Sequence, residues 1–268
     1  HETHNTFMNK DIYIISLGGS IVVPKEGIDW KFLKSFRKLI VGEIKKGKKF
    51  VIIIGGGSVA RKYQEAASKV AKLTNDDRDW LGIHATRMNA HLVKTIFREY
   101  AHPRINKNPN TKENLKKHFA RGEGIMVAGG WRPGWSTDYV ATILAGRLDA
   151  KTIINLSNID YVCDKDPRKF KDAKKLKNIS WKNFRKIVGD KWDPGLNAPF
   201  DPVASKNAER LGLEVLIMNG RNLKSLKNYF AGKKFKGTII NTPLIKARFA
   251  RLAIAMAKRA IASTRRGV

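Results

Sequence analysis

One short segment limits the folds open to this chain: an apolar run followed at once by three glycines, at residues 50–61 (FVIIIGGGSVAR). The residues before the glycines are typical of a buried strand. Those after them are typical of a helix, with Arg61 on its first turn. Glycines in such a turn let backbone N–H groups approach an oxyanion closely, and the helix N terminus favours negative charge. The segment therefore predicts a phosphate-binding turn, with an ordinary tight turn as the alternative.

Apolar, β-rich runs alternate with stretches of helical periodicity along the chain. Strands that are uninterrupted apolar runs separated by helices are typical of a mostly parallel sheet covered on both faces. We therefore expect an α/β fold, a three-layer sandwich with a central sheet between two layers of helices. The predicted strands are Ile12–Leu17, Phe50–Ile54, Ile125–Ala128, Thr152–Leu156 and Val215–Met218, and the predicted helices lie near Trp30–Lys46, Val59–Leu73, Trp80–Tyr100, Tyr139–Leu148 and Val203–Leu211.

Glycines and small polar residues follow four of the predicted strands. In open parallel sheets, ligands bind beyond the carboxyl ends of the strands, so these residues are the first candidates for a site. Unrelated turns would vary more in character, and we expect the four strand ends to converge on one cleft. The residues are Gly18, Gly19 and Ser20, then Gly55, Gly56 and Gly57, then Gly129 and Gly130, and finally Ser157, Asn158 and Asp160.

The chain is strongly basic, with 53 Lys and Arg against 23 Asp and Glu, a formal net charge of +30. A hydrophobic share of 42% indicates a globular protein instead of a disordered one. The charge predicts anionic partners without saying which, because nucleotides, nucleic acid, acidic lipid and a solvated lysine-rich surface all fit it.

The cysteine content and the hydropathy pattern predict a cytoplasmic protein. Cys163 is the single cysteine, which excludes an intrachain disulfide and fits a reducing compartment. No apolar stretch reaches the roughly 18 to 20 residues that a membrane-spanning helix needs. The first residues, HETHNTF, lack the basic and apolar sections of a signal peptide.

Two familiar phosphate motifs fit the chain poorly. No segment supplies the G-x-x-x-x-G-K-[ST] pattern of a P-loop. Gly55, Gly57 and Ala60 satisfy the dinucleotide pattern G-x-G-x-x-G/A, but the acidic residues at the required spacing precede a helix instead of ending a strand. Two separate glycine turns suit donor and acceptor phosphates that enter one crevice from both sides, as phosphoryl transfer requires. A kinase acting on a phosphorylated acceptor is the leading hypothesis.

Seven segments form an ordered set along residues 10–240. They are Gly18–Pro24 (GGSIVVP), Gly55–Tyr63 (GGGSVARKY), Asp79–Ala90 (DWLGIHATRMNA), Gly129–Asp138 (GGWRPGWSTD), Ser157–Pro167 (SNIDYVCDKDP), Asp201–Lys206 (DPVASK) and Gly237–Ile240 (GTII). The set resembles the uridylate (UMP) kinases of the amino-acid-kinase family, and it is closer to the archaeal type. The resemblance implies ATP-dependent phosphorylation of UMP to UDP with Mg²⁺.

The resemblance assigns one set of residues to each nucleotide. An arginine fork such as that of Arg61 suits two phosphate oxygens at once. The residues implied for ATP are Gly18, Gly19, Ser20, Asn158, Asp160, Tyr161, Asp166 and Pro167, and those implied for UMP are Gly56, Gly57, Arg61, Asp79, Thr86, Gly130, Thr137 and Asp138. Capping is the alternative for Asp79, as N-cap of the long helix, and for Thr137 and Asp138.

The reaction centre implied by the resemblance comprises Asp138, Asp201, Lys206 and Arg61. A UMP phosphate oxygen is already anionic, so alignment and charge neutralisation are expected to suffice without a strong base. Asp201 followed by Pro202 is also a structural start signal for a helix, and we expect both roles together. Asp138 and Asp201 are the candidate Mg²⁺ ligands.

The chain departs from the family pattern at two positions. Bacterial relatives have a lysine at the position of Ser16, so one phosphate-neutralising charge is missing there, as in the archaeal type. The family usually has glycine and then tyrosine at Tyr161 and Cys163, which puts the affinity for the ATP base in question.

The domain prediction has three parts: an N-terminal extension at residues 1–9, a kinase domain at 10–240 with the ATP-binding part at about 157–240, and a basic amphipathic tail at 241–268. The tail has three candidate roles: packing on the body or a neighbouring subunit, binding an acidic membrane, and binding nucleic acid. The family implies a homo-oligomer, a hexamer. The alternative function is a catalytically weak nucleic-acid-binding or scaffolding protein on the same fold. The basic residues of the tail are Lys246, Arg248, Arg251, Lys258, Arg259, Arg265 and Arg266.

Overall fold

The computed structural model describes residues 12–191 and 198–242 as an α/β sandwich around one seven-stranded sheet. The strand order is β3-β2-β1-β4-β8-β9-β7, and β5 and β6 form a separate two-stranded ribbon. The strands are β1 (Ile12–Leu17), β2 (Lys49–Ile54), β3 (Ile125–Ala128), β4 (Thr152–Ser157), β5 (Val162–Cys163), β6 (Lys175–Leu176), β7 (Asn178–Ser180), β8 (Glu214–Asn219) and β9 (Thr238–Asn241). The expected fold class is confirmed.

Nine helices connect the strands within the described ranges. They are α1 (Gly19–Val22), α2 (Trp30–Ile44), α3 (Gly57–Val70), α4 (Asn75–Ile96), α5 (Lys116–Ala120), α6 (Thr137–Arg147), α7 (Trp181–Val188), α8 (Pro202–Arg210) and α9 (Leu223–Phe230). Among these helices, none combines the length and the apolar character that crossing a bilayer requires.

Five neighbouring strands run parallel, which brings their carboxyl ends to one edge of the sheet. β1 pairs with β2 on one side and with β4 on the other, while β3 and β8 extend the sheet outward. β9 then joins β8 in the antiparallel sense. The glycine turns after β1, β2 and β3 therefore lie at the same edge as the polar residues after β4.

Side chains alternate between two hydrophobic layers, one on each face of the sheet. Ile14 and Ile53 belong to the layer under α6, α7 and α8, and Ile15 and Ile52 belong to the layer under α2 and α4. These four side chains have no exposed surface. Burial on both faces explains why the strands read as continuous apolar runs, as expected of a covered parallel sheet.

The sheet extends beyond the strands expected from the sequence. β7 and β9 add an antiparallel flank, and α7 and α9 pack nearby. The basic tail lies outside the described residues, apart from Asn241 and Thr242, and so does the N-terminal extension. The proposed domain boundaries and the role of the tail stay predictions.

Candidate active site

The two glycine turns that follow β1 and β2 pack directly against each other. A Cβ atom added to Gly19 would lie 2.1 Å from the backbone nitrogen of Gly57 and 2.5 Å from the carbonyl carbon of Gly55. Gly57 also adopts a φ of +65°, which side-chain-bearing residues rarely take. The glycines are required for backbone packing, and this packing places the predicted donor turn beside the predicted acceptor turn.

Helix α4 holds the turns after β2 and β3 through three side chains on one face. The Asn89 amide donates to the carbonyl oxygens of Gly55 and Gly56 at 2.9 and 3.1 Å. The Thr86 hydroxyl accepts a hydrogen bond from the Gly130 N–H at 2.6 Å. The Asp79 carboxylate accepts one from the Gly134 N–H at 2.7 Å. The D-x-x-G-x-x-x-T-x-x-N spacing therefore ties the turns after β2 and β3 to one helix.

The capping alternatives for these residues are wrong. Thr74 is the N-cap of α4 and forms a capping box with Asp77, so Asp79 lies inside the helix. Ser136 is the N-cap of α6, and its hydroxyl accepts from the Tyr139 N–H, so Thr137 and Asp138 belong to the first turn. All three side chains are therefore left for other partners.

A cavity of about 280 Å³ opens between α3, α4 and the turn before α6. The Arg61 side chain is exposed at its wall, and no hydrogen bond or ion pair within the described ranges engages its guanidinium. Of the residues predicted for UMP, the cavity is lined by Gly56, Gly57, Arg61, Asp79, Thr86, Gly130 and Thr137. The structure thus brings together all of that set except Asp138, which lies behind Thr137.

An aromatic and cationic group at the rim of this cavity was not among the predicted site residues. Trp135 lines the cavity and stacks on Tyr139 with ring centroids 4.2 Å apart. The guanidinium of Arg132 lies 4.2 Å from the centroid of the Trp131 ring and also borders the cavity. The sequence signal was the composition of the Gly129–Asp138 turn, which holds two tryptophans and an arginine.

Asp138 lies where two strands, β1 and β4, and two helices, α6 and α8, meet. Its Oδ1 accepts hydrogen bonds from the Ser16 hydroxyl at 2.8 Å and from the Asn155 amide at 3.1 Å, and its Oδ2 accepts from the Asp201 N–H at 3.2 Å. Ser16 on β1 and Asn155 on β4 are direct neighbours across the two strands. Each of them is a polar residue within an otherwise apolar strand sequence, and this pattern is the sequence signal for a functional contact.

The two carboxylates form a desolvated pair. Burial raises the pKa of Asp138 to about 6, with the nearby Asp201 charge adding to the shift and the Ser16 hydrogen bond opposing it. Burial also raises the pKa of Asp201, opposed by hydrogen bonds from the Ala204 N–H and Ser136. Within the described residues no lysine or arginine bonds to either carboxylate, so the pair can receive an external cation.

Asp201 begins helix α8. Its carboxylate accepts from the Ala204 N–H at 2.6 Å, and Pro202 occupies the first turn, so the predicted structural role is confirmed. The buried bond from the Asn207 amide to the Thr142 hydroxyl, 2.7 Å long, holds α8 against α6. Lys206 lies on α8 with an exposed side chain. The role that the resemblance implies for Lys206 stays a prediction.

Exchange of Asp201 for asparagine and for alanine should separate the capping role from the charge. Asparagine caps a helix about as well as aspartate, and burial raises the pKa of Asp201. We therefore expect the free energy of unfolding of Asp201→Asn at neutral pH to equal or exceed that of the parent, whereas Asp201→Ala loses roughly 1 to 2 kcal/mol of capping. Both variants should lose at least about tenfold in phosphoryl transfer. Urea denaturation and steady-state rates measure the two effects. Full activity in Asp201→Asn would show that the carboxylate only caps.

The predicted ATP residues lie beyond β1 and β4. Gly18 donates to the Leu156 carbonyl oxygen at 2.8 Å, which ties the donor turn to the end of β4. Asp160 accepts a hydrogen bond from the Asn219 amide at 3.0 Å. Asp166 instead accepts from the backbone and guanidinium of Arg168, so its carboxylate closes a turn of its own loop.

Two further residues of this loop were singled out from the sequence. The Tyr161 ring lies 5.9 Å from the Lys175 ammonium. Cys163 is half-buried in β5 opposite Lys175 of β6. The loop that the resemblance assigns to the adenosine therefore contributes one strand, β5, to the two-stranded ribbon. Asn158 and Pro167 lie in its non-regular parts.

The fold, together with glycine turns, paired carboxylates and the unengaged guanidinium of Arg61 at one sheet edge, defines a phosphotransferase class of site. The chain belongs to the amino acid kinase family, whose model matches residues 11–219. Within that family, it is similar to proteins named uridylate kinase. That of Methanococcus aeolicus is 34% identical over 85% of this chain and 98% of the relative. The uridylate kinase of Methanocorpusculum labreanum is 32% identical over 87% of this chain and 97% of the relative.

Solved structures agree with this placement. The uridylate kinase of Archaeoglobus fulgidus aligns with a TM-score of 0.70 at 26% identity, covering 85% of this chain and 99% of that protein. The UMP kinase of Bacillus anthracis aligns with a TM-score of 0.73 over 87% and 96%, and at 19% identity it supports the fold alone.

Proposed function

We propose that this protein is a UMP kinase that transfers the terminal phosphoryl group of ATP to UMP, giving UDP and ADP. The observation that carries the proposal is the cavity of about 280 Å³, whose wall combines the Gly56–Gly57 turn, Arg61 and Asp79 beside the Asp138–Asp201 pair. The similarity to uridylate kinases along most of the chain supports the same substrate.

The acceptor phosphate is assigned to the turn after β2. Gly56 and Gly57 begin α3, whose N terminus favours an anion, and Arg61 stands one turn further along the same helix. Its unengaged guanidinium can bind two phosphate oxygens at once. Thr137 and Trp135, at the far wall of the cavity, then face the ribose or base of the nucleotide.

The donor phosphates are assigned to the turn after β1. Because Gly19 packs on Gly57, a phosphate chain at Gly18–Ser20 approaches an acceptor at the second turn without an intervening side chain. We assign to Lys206, an exposed residue of α8, the neutralisation of charge on the transferred group. Alignment of the two anions and neutralisation of their charge carry the catalysis, since the acceptor oxygen needs no deprotonation.

Asp138 and Asp201 fit a Mg²⁺ site chemically. Both offer carboxylate oxygens, the donors that Mg²⁺ prefers, and both have a raised pKa because no cation offsets their burial. A magnesium ion held there would supply the counter-charge for the donor phosphates. Ser16, Asn155 and the Asp201 N–H hold Asp138 in place for that contact.

Substitution of Arg61 should weaken UMP binding selectively. Loss of a charge-assisted contact worth about 1.5 to 3 kcal/mol predicts an increase of roughly 10- to 100-fold in the KM for UMP in Arg61→Ala, with little change in the KM for ATP. Arg61→Lys should fall between, because it keeps the charge but loses the fork. Steady-state kinetics with each nucleotide varied in turn measure both constants.

The neighbouring Lys62 is the matched control for Arg61. Its ammonium contacts the Lys25 carbonyl oxygen at 3.3 Å at the surface, so Lys62→Ala should leave the KM for UMP unchanged. The melting temperatures of all three variants should match the parent, since both side chains are exposed. An unchanged KM in Arg61→Ala would place the acceptor phosphate elsewhere.

The overall proposal is tested with the purified chain, ATP, Mg²⁺ and a panel of acceptors. We expect turnover with UMP above that with CMP and with small phosphorylated or carboxylated acceptors. No turnover combined with tight RNA retention would instead support the binding or scaffolding function. We also propose that the protein acts in pyrimidine nucleotide synthesis in the cytoplasm.

A homo-oligomer is part of the proposal. Large apolar side chains on α3 and α4 are exposed, which favours contact between subunits. They are Tyr63, Val70, Trp80 and Met88. Size-exclusion chromatography with light scattering gives the number of subunits, for which the family implies six.

A further inference from the structure

We propose that His102, His118 and Glu123 bind a divalent transition-metal ion, with Zn²⁺ as the best match to their chemistry. One ligand atom from each side chain lies within 4.8 Å of the others. The three residues come from the segment between α4 and β3, and Glu123 lies two residues before that strand. This metal cluster is therefore at the amino end of β3, whereas the glycines of the candidate active site follow its carboxyl end.

Two buried polar atoms in the metal cluster have no hydrogen-bond partner: Nδ1 of His118 and Oε2 of Glu123. They lie 3.9 Å apart, too far for a hydrogen bond. Leaving such atoms unsatisfied costs about 1 to 3 kcal/mol each, so an ion that engages both would remove a real penalty. Bonds of about 2.0 to 2.2 Å to one ion require only a modest closure of this gap.

Each histidine ring already has a partner on its other nitrogen. Nδ1 of His102 lies 2.9 Å from the Arg104 carbonyl oxygen and 3.2 Å from the Arg104 backbone nitrogen. In the tautomer whose Nδ1–H donates to the carbonyl oxygen, Nε2 keeps a lone pair for a metal. Nε2 of His118 lies 3.5 Å from the Glu113 carboxylate, which leaves Nδ1. Metal-binding histidines characteristically donate the second ring N–H to a carbonyl or carboxylate, which fixes the tautomer and the ring orientation.

The burial and packing of the two imidazoles allow both rings to bind the same metal ion. His102 is 6% exposed and His118 is 4% exposed, and their ring centroids are 3.9 Å apart. Two imidazoles and one carboxylate suit Zn²⁺ and its first-row neighbours, whereas Mg²⁺ and Ca²⁺ prefer oxygen donors alone. A cavity of about 460 Å³ borders both rings and provides an entry path and room for a water as fourth ligand.

The ion would join two irregular segments at the edge of the sheet. His102 follows Ala101, which pairs with Ile125 at the start of β3, and its N–H donates to the Ile125 carbonyl oxygen. His118 lies in the five-residue helix α5. A bond from each to one metal would fix α5 against the β3 edge, so we infer a structural role for the ion.

The test is metal binding by the full-length chain after removal of metals with a chelator. We expect Co²⁺ to give the visible absorption of a four-coordinate site, and Zn²⁺ to displace it and to raise the melting temperature. His118→Ala and His102→Ala should each bind one equivalent fewer than the parent. His1 and His4 are common to all variants and contribute equally.

Two further variants make the experiment decisive. Glu123→Gln keeps the volume of a side chain that is 21% exposed, so it should fold and still lose at least about tenfold in Zn²⁺ affinity. His91→Ala, at the rim of the same cavity but outside the metal cluster, should bind like the parent. Equal stoichiometry and affinity in all variants, or no stabilisation of the parent by Zn²⁺, would overturn the proposal.

UMP phosphorylation provides an independent readout. Because the metal cluster lies away from the candidate active site, the folded variants should keep the parent rate with Mg²⁺ present. Failure of the metal site thus leaves the proposed kinase function untouched, and failure of the kinase assay leaves the Co²⁺ result interpretable.

Discussion

Gly19→Ala should cost more than about 3 kcal/mol in unfolding free energy and reduce phosphoryl transfer at least about 100-fold. The added methyl would lie 2.1 Å from the Gly57 nitrogen and 2.6 Å from the Gly55 carbonyl oxygen. Both are backbone atoms, so no rotamer change relieves the clash and the two turns must separate. A displacement of about 1 Å at a reacting centre is enough for such a loss of rate. Urea denaturation and steady-state kinetics measure the two effects.

Gly42→Ala is the matched control for this substitution. Gly42 lies within α2, and nothing stands within 4 Å of the position its Cβ would take. Alanine there should stabilise the protein by about 0.5 to 1 kcal/mol and leave the rate unchanged. A Gly19→Ala protein with parental stability and activity would contradict the direct packing of the two turns.

Asp138→Asn should make the metal-free protein more stable near neutral pH while lowering kcat at least about 100-fold. Because burial raises the folded-state pKa of Asp138 to about 6, the folded state binds the proton more tightly than the unfolded state. The contribution of Asp138 to folding stability is therefore fully present at pH values below the ordinary aspartate pKa, and it is lost as the pH rises through about 6. The loss is roughly 3 kcal/mol for the ionised group.

Asparagine removes this charge but turns an N–H toward the Asp201 N–H, which accounts for about 1 kcal/mol in the opposite direction. We therefore expect the free energy of unfolding of Asp138→Asn to exceed that of the parent by roughly 1 to 2 kcal/mol at pH 7.5. This difference should disappear toward pH 4. Denaturation of both proteins at several pH values measures it. Glu26→Gln, at an exposed carboxylate, serves as the control and should change neither stability nor rate. A destabilised or fully active Asp138→Asn would refute the account of a desolvated catalytic carboxylate.

The parallel core of the fold was predictable because its strands are buried on both faces. β1 and β3 begin and end at the predicted residues, and β2, β4 and β8 extend the predicted runs by one or two residues. The sequence does not predict β7 and β9, because both strands are short and partly polar and their pairing depends on the rest of the sheet. Helix α4 begins five residues before the predicted start, because the capping box formed by Thr74 and Asp77 stabilises the helix from Asn75.

The candidate site was predictable in its backbone turns but not in its side-chain partners. Glycines and polar residues directly after apolar strands are a local signal, and the structure gathers them at one edge. The bonds from Asn89 to Gly55 and from Thr86 to Gly130 join residues 34 and 44 positions apart, which no local pattern reveals. Ser16 and Asn155 illustrate the same limit, since their common partner Asp138 lies on a different element.

Anchoring by α4 has a kinetic consequence. Asp79, Thr86 and Asn89 bond the turns after β2 and β3 to one helix. We therefore expect α4 and these turns, the proposed acceptor half of the site, to move as one unit. Under the proposed assignment, we expect substrate entry and product departure to depend on motion of the donor half, which includes the loop at residues 157–167 and the ribbon of β5 and β6. We then expect the donor side to limit the rate of turnover, while the acceptor pocket keeps its shape throughout the cycle.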